Sequence, residues 1–395
     1  MKILVIGSRV PYPLKDGGAI AAYTHLKGFA EAGEDVSFYS LNTLKHFVDN
    51  KTLLEKFSFL HQIHTFKIDT SLKPLDAILN LFSNESYNII RFYNKLFEDN
   101  LVKYIKENNF DIIQFEGLFA SMYVKEISKV SKAKLVLRQH NVEHNIWGGL
   151  ALTEKNSLKK WYLKLIYNRI KKYEIEILPH FDAIIAITEE DKIVFKKYTE
   201  KPVFTSKAGI DINVISNNKP SSKVYHIGSM EWLPNLEGVN WLLTEVWPLV
   251  ENKIPDAQLF IAGKMMPEEI YKYQSNTVKI MGEVPDAAEF ISDKGIMVVP
   301  LKSGSGIRMK TLEAMAAGKA VVTTSTGLQG INAQNKEDVF VADIANDFAE
   351  NILMLIENQN LREATALKAN HFVNKNFNNT ILIKDLLKFY ITIKN

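Results

Sequence analysis

Apolar residues come in short unbroken runs separated by amphipathic stretches. The runs at 2–6 (KILVI), 35–40 (DVSFYS), 111–116 (DIIQFE), 134–137 (KLVL) and 181–187 (FDAIIAI) have strand length and no alternation. That is the pattern of strands buried on both faces of a parallel sheet. Helix-period stretches lie between them, at about 19–32, 156–178 and from Thr188 onward, where Thr188 and an acidic first turn form an N-cap. A short strand at 203–206 closes this series. Residues 213–222, with Asn217, Asn218, Pro220 and several serines, have linker composition. The alternation then resumes. Strands are predicted at 224–227, 255–262, 278–282, 296–299 and 320–322, and helices at 236–250 and 307–317, with two more inside 343–374 and a last one at 377–393. The class is α/β, two doubly wound Rossmann-like domains with a cleft between them. The expected boundaries are 1–212, 213–375 and a terminal helix, 376–395.

Two stretches resist this pattern. Residues 42–100 are irregular, rich in Phe, Asn and Lys, with short helical segments. Packing explains them, and acceptor recognition is the alternative. In 156–178, Trp161, Leu165, Ile166, Ile170 and Ile177 lie broadly on one side. Lys159, Lys160, Lys164, Arg169, Lys171 and Lys172 form a basic face, read as the solvated side of a packed helix. Lying on an anionic membrane is the other use of such a helix.

Composition narrows the classes. With 48 basic and 45 acidic residues, the net charge of +3 argues against a nucleic-acid partner. There is no cysteine, so disulfides are excluded. The opening apolar run is too short for a signal peptide, and no stretch approaches about 20 apolar residues, so the cytoplasm is expected. Arg9 stands where a nicotinamide-binding G-x-G-x-x-G turn needs glycine.

Chemistry concentrates in 303–330, SGSGIRMKTLEAMAAGKAVVTTSTGLQG. Ser303, Gly304, Ser305 and Gly306 break the preceding strand, and Gly318 ends the following helix as a C′ residue does. Arg308 and Lys310 fall in that helix's first turn, where the macrodipole makes each cation cost a few tenths to about 1 kcal/mol. A polyanion in front of the helix reverses the sign. Glycines allowing close approach, free N–H groups, an Arg fork and a Lys are what a diphosphate needs. Glu313 suits accepting hydrogen bonds from a ribose diol. A plain surface loop with Glu313 paired to Lys310 is the other reading.

The segment resembles the C-terminal signature of GT-B glycosyltransferases of glycosyltransferase family 4. The family pairs two glutamates separated by seven residues. The second matches Glu313, which the resemblance places on the nucleotide ribose. The first falls on Ser305, and the chain resembles a subgroup with G-S-G-I-R-x-K and a single Glu. The resemblance implies donor contacts by Ser305, Gly306 and Ile307, by Gly228 and Ser229 at the end of the 224–227 strand, and by Val284, where the family cradles the base. Ser229 and Asn235 replace the family's Arg and Lys, which leaves the phosphate charge to Arg308 and Lys310. Gly17 and Gly18, just before a helix, match a Gly-Gly that faces donor phosphate or sugar across the cleft.

His140 matches the family's active-site histidine. Glu143, His144 and Glu116 are acceptor-side or orienting candidates. His140 to His144 also spells H-x-x-E-H, a metalloprotease spacing. A strand running into His140, and Gly148-Gly149 just beyond, argue against the helix that zinc would need.

The implied activity is retaining, same-face transfer from a nucleotide-diphosphate sugar, a co-substrate rather than a cofactor, to a saccharide, glycolipid or other hydroxyl acceptor. No Asp-x-Asp pair occurs, so metal independence is expected. Peripheral contact with the inner membrane face is a further option, and the oligomeric state stays open. A sugar-nucleotide 2-epimerase shares the architecture. Ser305 also motivates a donor-binding, non-catalytic subunit.

Overall fold

The structure is a computed structural model that describes residues 1–14, 16–211, 221–304 and 307–394. Ser305, Gly306 and most of the expected linker lie outside the described residues. The chain divides into two compact units, Met1–Gly209 with Asn379–Asn395, and Ile210–Asn378.

Unit 1 is built on seven parallel strands: β1 (Lys2–Gly7), β2 (Asp35–Thr43), β3 (Gln62–Ile68), β4 (Ile112–Glu116), β5 (Lys134–Gln139), β6 (Ala183–Ala186) and β7 (Val203–Thr205), in the order β3-β2-β1-β4-β5-β6-β7. The inner strands are the continuous apolar runs, covered on both faces. The order reverses between β1 and β4. Their carboxyl ends, Gly7 and Glu116, are register partners, and a crevice at such a switch point is where doubly wound sheets bind ligands.

The Gly17–Glu31 helix starts at Asp16, whose side chain accepts from the Ala19 N–H at 2.9 Å. The terminal Asn379–Lys394 helix packs on it within the same unit. Asn379 Nδ2 donates to the Thr24 carbonyl at 2.8 Å, and a Cβ on Gly28 would lie 2.3 Å from Asn379 Nδ2 and 2.7 Å from Ile383. Gly28→Ala should therefore lower stability despite its gain of about 1 kcal/mol in helix propensity, because overpacking costs about 1–3 kcal/mol. A lower urea midpoint is the expected result, and an unchanged or higher one would deny this close packing.

Unit 2 repeats the plan with β8 (Val224–Ile227), β9 (Leu259–Ala262), β10 (Val278–Gly282), β11 (Ile296–Val299), β12 (Ala320–Thr323) and β13 (Phe340–Val341), all parallel, in the order β10-β9-β8-β11-β12-β13. Its switch point lies between β8 and β11.

Several expectations need correction. The irregular 42–100 region contains β3, an edge strand whose half-covered residues carry no apolar run. The 143–153 stretch is one helix, Glu143–Thr153, running through Gly148-Gly149. Gly148 lies against the Tyr167 ring, so its small size serves close helix contact. Trp161 does not share a side with Ile166, Ile170 and Ile177: they are buried, whereas it points to solvent, 58% exposed. The helix expected at 236–250 begins earlier, at Leu233, and widens into a π turn over Leu242–Val246. Pro248, which has no N–H to continue the ladder, follows two residues later. The helix expected from Ile307 spans Met309–Ala316, with Arg308 at its N-cap.

Candidate functional site

In unit 1, polar groups gather at the switch point. Glu116 is nearly buried. Its Oε1 accepts from Arg138 on β5 and from His140 Nε2 at 2.5 Å, and its Oε2 from Gln114 Nε2 at 2.8 Å. Burial opposes its ionisation, but the charges of Arg138 and His140 prevail and hold its carboxyl far below the ordinary range. A carboxylate only accepts, so Gln114 must turn its NH₂ to Glu116 and its oxygen away. That oxygen accepts from Tyr390 on the terminal helix at 2.5 Å and from His25 Nε2 at 3.1 Å. His25 is therefore the Nε2–H tautomer. Burial, with the charge of Arg138, pushes its pKa down to about 3, so it is neutral.

His140 Nε2 likewise holds a proton toward Glu116, which leaves Nδ1 facing the start of the Gly17–Glu31 helix. A Cβ on Gly18 would lie 3.8 Å from it. Gly17 is exposed beside Gly18. A cavity of about 1010 Å³ opens here, with Gly18, Glu116, His140 and Glu143 in its wall, together with Arg9 and Arg91. Arg9 grips Asp16 with both terminal nitrogens, at 2.9 and 2.5 Å.

Glu143 opens the Glu143–Thr153 helix. Burial and the neighbouring charge of Glu174 push its carboxyl up to about 7. Val142, at the N-cap, has no side-chain acceptor, and the buried Glu174 on the Ser157–Ile177 helix supplies one. It accepts from the N–H groups of Glu143 and His144 at 3.0 and 3.2 Å, and from His144 Nδ1 at 2.5 Å. His144 is thus buried beneath the helix rather than in the cavity wall. His140 and His144 serve different carboxylates, and no group of three or more metal-ligating side chains gathers among the described residues.

In unit 2, β8 leads into Gly228-Ser229, and β11 leads through Gly304 to Arg308. Gly304 has φ of +109°, and a Cβ there would meet the Trp232 ring at 2.8 Å. The Arg308 guanidinium lies over that ring, 4.8 Å from its centroid. Burial pulls its pKa down to about 10, which leaves it charged at neutral pH. Lys310 Nζ and Glu313 Oε2 pair at 2.7 Å, both partly exposed. The pairing of the surface-loop reading is present, and such a pair is weak enough to yield to a ligand.

In the same unit, Tyr225 Oη, Ser229 Oγ and Thr311 Oγ1 are buried and have no hydrogen-bond partner among the described residues. His226 donates Nδ1–H to the Val298 carbonyl at 3.0 Å, and its buried Nε2 has no partner among the described residues. Buried polar atoms normally have partners. These four stand on β8, just past its end, and in the first turn of the Met309–Ala316 helix. Gly228 is tight, since a Cβ would meet Asn235 Nδ2 at 2.7 Å. Ile307 is half-buried before Arg308. Val284, also half-buried, follows the end of β10, two strands from β8.

Residues 221–358 match the family model described as Glycosyl transferases group 1. The chain is a glycosyltransferase of GT-B fold. Solved structures of similar fold include HepE of Anabaena in complex with UDP (TM-score 0.69, 15% identity, 99% of this chain and 100% of that one). Sucrose-phosphate synthase of Thermosynechococcus elongatus is another (TM-score 0.68, 13% identity, 100% and 99%). In sequence, the transferase is 25% identical over 404 residues to an uncharacterised 44.6 kDa protein in the cps region of Klebsiella pneumoniae, covering 98% of this chain and 99% of that one. The matched segment contains every unit 2 candidate and none from unit 1. No helix among the described residues of the transferase is long and apolar enough to cross a membrane.

Sequence reasoning counted Arg138 among the polar residues at the end of its strand but gave it no role of its own, and it missed Gln114, Tyr390, Glu174 and Trp232. A charged residue inside the apolar run KLVLR was the available signal for Arg138. Nothing local marks the others.

Proposed function

We propose that the enzyme moves a sugar from a nucleoside-diphosphate sugar to a hydroxyl of a saccharide or glycolipid, with retention of configuration and without a metal. The carrying observation is the unit 2 constellation: Arg308 braced on Trp232 at a helix N-terminus, Lys310 in the first turn paired with Glu313, and buried Ser229 and Thr311 hydroxyls that have no partner among the described residues. On this reading Arg308, Lys310 and the helix N-terminus stabilise the departing diphosphate. Ser229 donates to a phosphate oxygen, Glu313 exchanges Lys310 for the ribose diol, and Val284 lies near the base. Gly228 and Ile307 border the diphosphate. Ser305 and Gly306 complete the loop in sequence, outside the described residues.

In the unit 1 cavity, His140, with its Nε2–H committed to Glu116, presents Nδ1 toward the transferred sugar beside Gly17 and Gly18. Glu143 receives an acceptor hydroxyl. As the bond between C1 and the phosphate oxygen breaks, the acceptor oxygen bonds C1 from the same face and its proton passes to the departing phosphate. The enzyme acts on the cytoplasmic side, with peripheral contact to the inner membrane face.

HepE is described in complex with UDP-glucose, so UDP-glucose is the first donor to try. NMR of reactions with free and lipid-linked saccharides should show donor consumption only with acceptor, an unchanged anomeric configuration, and no effect of EDTA. An inverted product, or loss of activity in EDTA, overturns the mechanism. Donor isomerised without acceptor makes the enzyme an epimerase, and donor bound but never consumed makes it a binding subunit.

A further inference from the structure

The Ser157–Ile177 helix is amphipathic in an unexpected sense. Its buried residues Ile166, Ile170 and Ile177 face the unit 1 core, and a separate stripe with exposed apolar residues runs along another side. Leu158, Trp161, Leu165 and Arg169 follow one another at spacings of three and four, so they share one stripe. Leu158 is 80% exposed and Trp161 58%. Arg169, at the inner end of the stripe, donates to the carbonyls of Asn80, Leu81 and Ser83, just past the Pro74–Asn80 helix. That clamp ties the inner end of this stripe to the base of a second exposed ridge, Leu75, Ile78, Leu79 and Phe82, the last 89% exposed. A ridge of this kind is not ordinary surface, since scattered apolar residues need no partner but contiguous ones do.

Charge selects the partner. Lys155, Lys159 and Lys164 are exposed around the outer end of the stripe, with Lys160 half-exposed and Glu154 the one carboxylate among them. None of the four lysines forms an ion pair among the described residues. A second copy docked about a two-fold axis would bring this basic cluster close to itself, because the same patch serves both sides. Trp, Leu and Phe flanked by lysines are instead the composition of an element lying in an anionic lipid interface.

We propose that unit 1 docks on an anionic bilayer through the Trp161–Leu158 stripe and the Leu75–Phe82 ridge, with the four lysines over the headgroups. The proposal rests on the membrane contact in the reading above and gives that contact its residues. Leu72, exposed at the start of the second ridge, also lines the unit 1 cavity, so an acceptor held in the bilayer would lie near the cavity's rim.

The test is co-sedimentation of the full chain with vesicles of phosphatidylcholine, alone or mixed with phosphatidylglycerol. Three proteins are compared: wild type, a variant with Lys155, Lys159, Lys160 and Lys164 changed to Gln, and Trp161→Ser/Phe82→Ser. Wild type should bind the mixed vesicles and release in high salt. The lysine variant should bind about fivefold more weakly for each lysine that reaches the headgroups, and the Trp161/Phe82 variant should lose binding. UDP stabilisation measured on the same proteins should be unchanged, so a failure here is separate from a failure of the donor site. No binding to mixed vesicles, or equal binding by all three proteins, overturns the proposal. Concentration-dependent dimerisation that disappears with Trp161→Ser/Phe82→Ser would also overturn it, because a second copy would then cover the face.

Discussion

Arg308→Ala is expected to cut the stabilisation by UDP from about 2.7 kcal/mol, at a hundredfold excess over Kd, to about 1.4 kcal/mol or less at the same concentration. The guanidinium is held over Trp232 at the helix N-terminus, so little ordering remains to be done when a diphosphate arrives. Hydrogen bonds to a charged group contribute about 1.5–3 kcal/mol, and losing them raises Kd roughly tenfold to a hundredfold or more. The fold should tolerate the change, because Arg308 lies at a helix end and its own burial disfavours its charge. Thermal melts with and without UDP, on wild type and variant, read the effect directly. An undiminished shift in Arg308→Ala would remove the physical basis for placing the diphosphate there. Loss of the shift in Trp232→Ala as well would show that the aromatic brace matters and not the charge alone.

The candidate site in unit 2 stands out in the sequence because its charges break a local rule. Two cations at the start of a helix need an external reason, and the glycines before them supply a second clue. The inner strands were legible because burial on both faces writes itself as unbroken apolar runs. What the chain hides is whatever depends on neighbours distant in sequence. Tyr390 and Gln114 are 276 residues apart, and neither has an unusual local context. Glu116 read as a strand-end carboxylate, whereas its chemistry comes from Arg138, His140 and Gln114 meeting across β4 and β5. Gly148-Gly149 read as a break because glycine is a poor helix former, yet contact with Tyr167 makes a small residue useful there. Trp161 read as core because bulky apolar residues usually are. The helix's buried side is set by Ile166, Ile170 and Ile177 instead. A half-covered edge strand such as β3 leaves too few apolar positions to announce itself.

Glu116→Gln should destabilise the protein by about 3–5 kcal/mol near neutral pH, the usual cost of removing one partner of a buried ion pair. Arg138 is 1% exposed and would be left with an uncompensated charge. The new amide would also set its NH₂ or its oxygen against a group that needs the opposite, since Gln114 and Arg138 both donate to Glu116. The pH dependence distinguishes this carboxylate from Glu143. The Glu116 pKa is depressed in the folded state, so its contribution is present above the ordinary value of 4.5 and is lost as pH falls below it. Wild type should therefore lose stability on acidification, and Glu116→Gln should lose less. The Glu143 pKa is raised to about 7, so its contribution is complete below 4.5 and is lost as pH rises through about 7. Glu143→Gln should match wild type in acid and exceed it in stability by about 1 kcal/mol near pH 8, a figure kept small because the carboxyl partly reaches water. Urea midpoints of the three proteins across this range give both signs in one experiment. If Glu143→Gln shows no advantage above pH 7, the Glu143 carboxyl is not held neutral, and Glu174 does not act on it as the geometry requires.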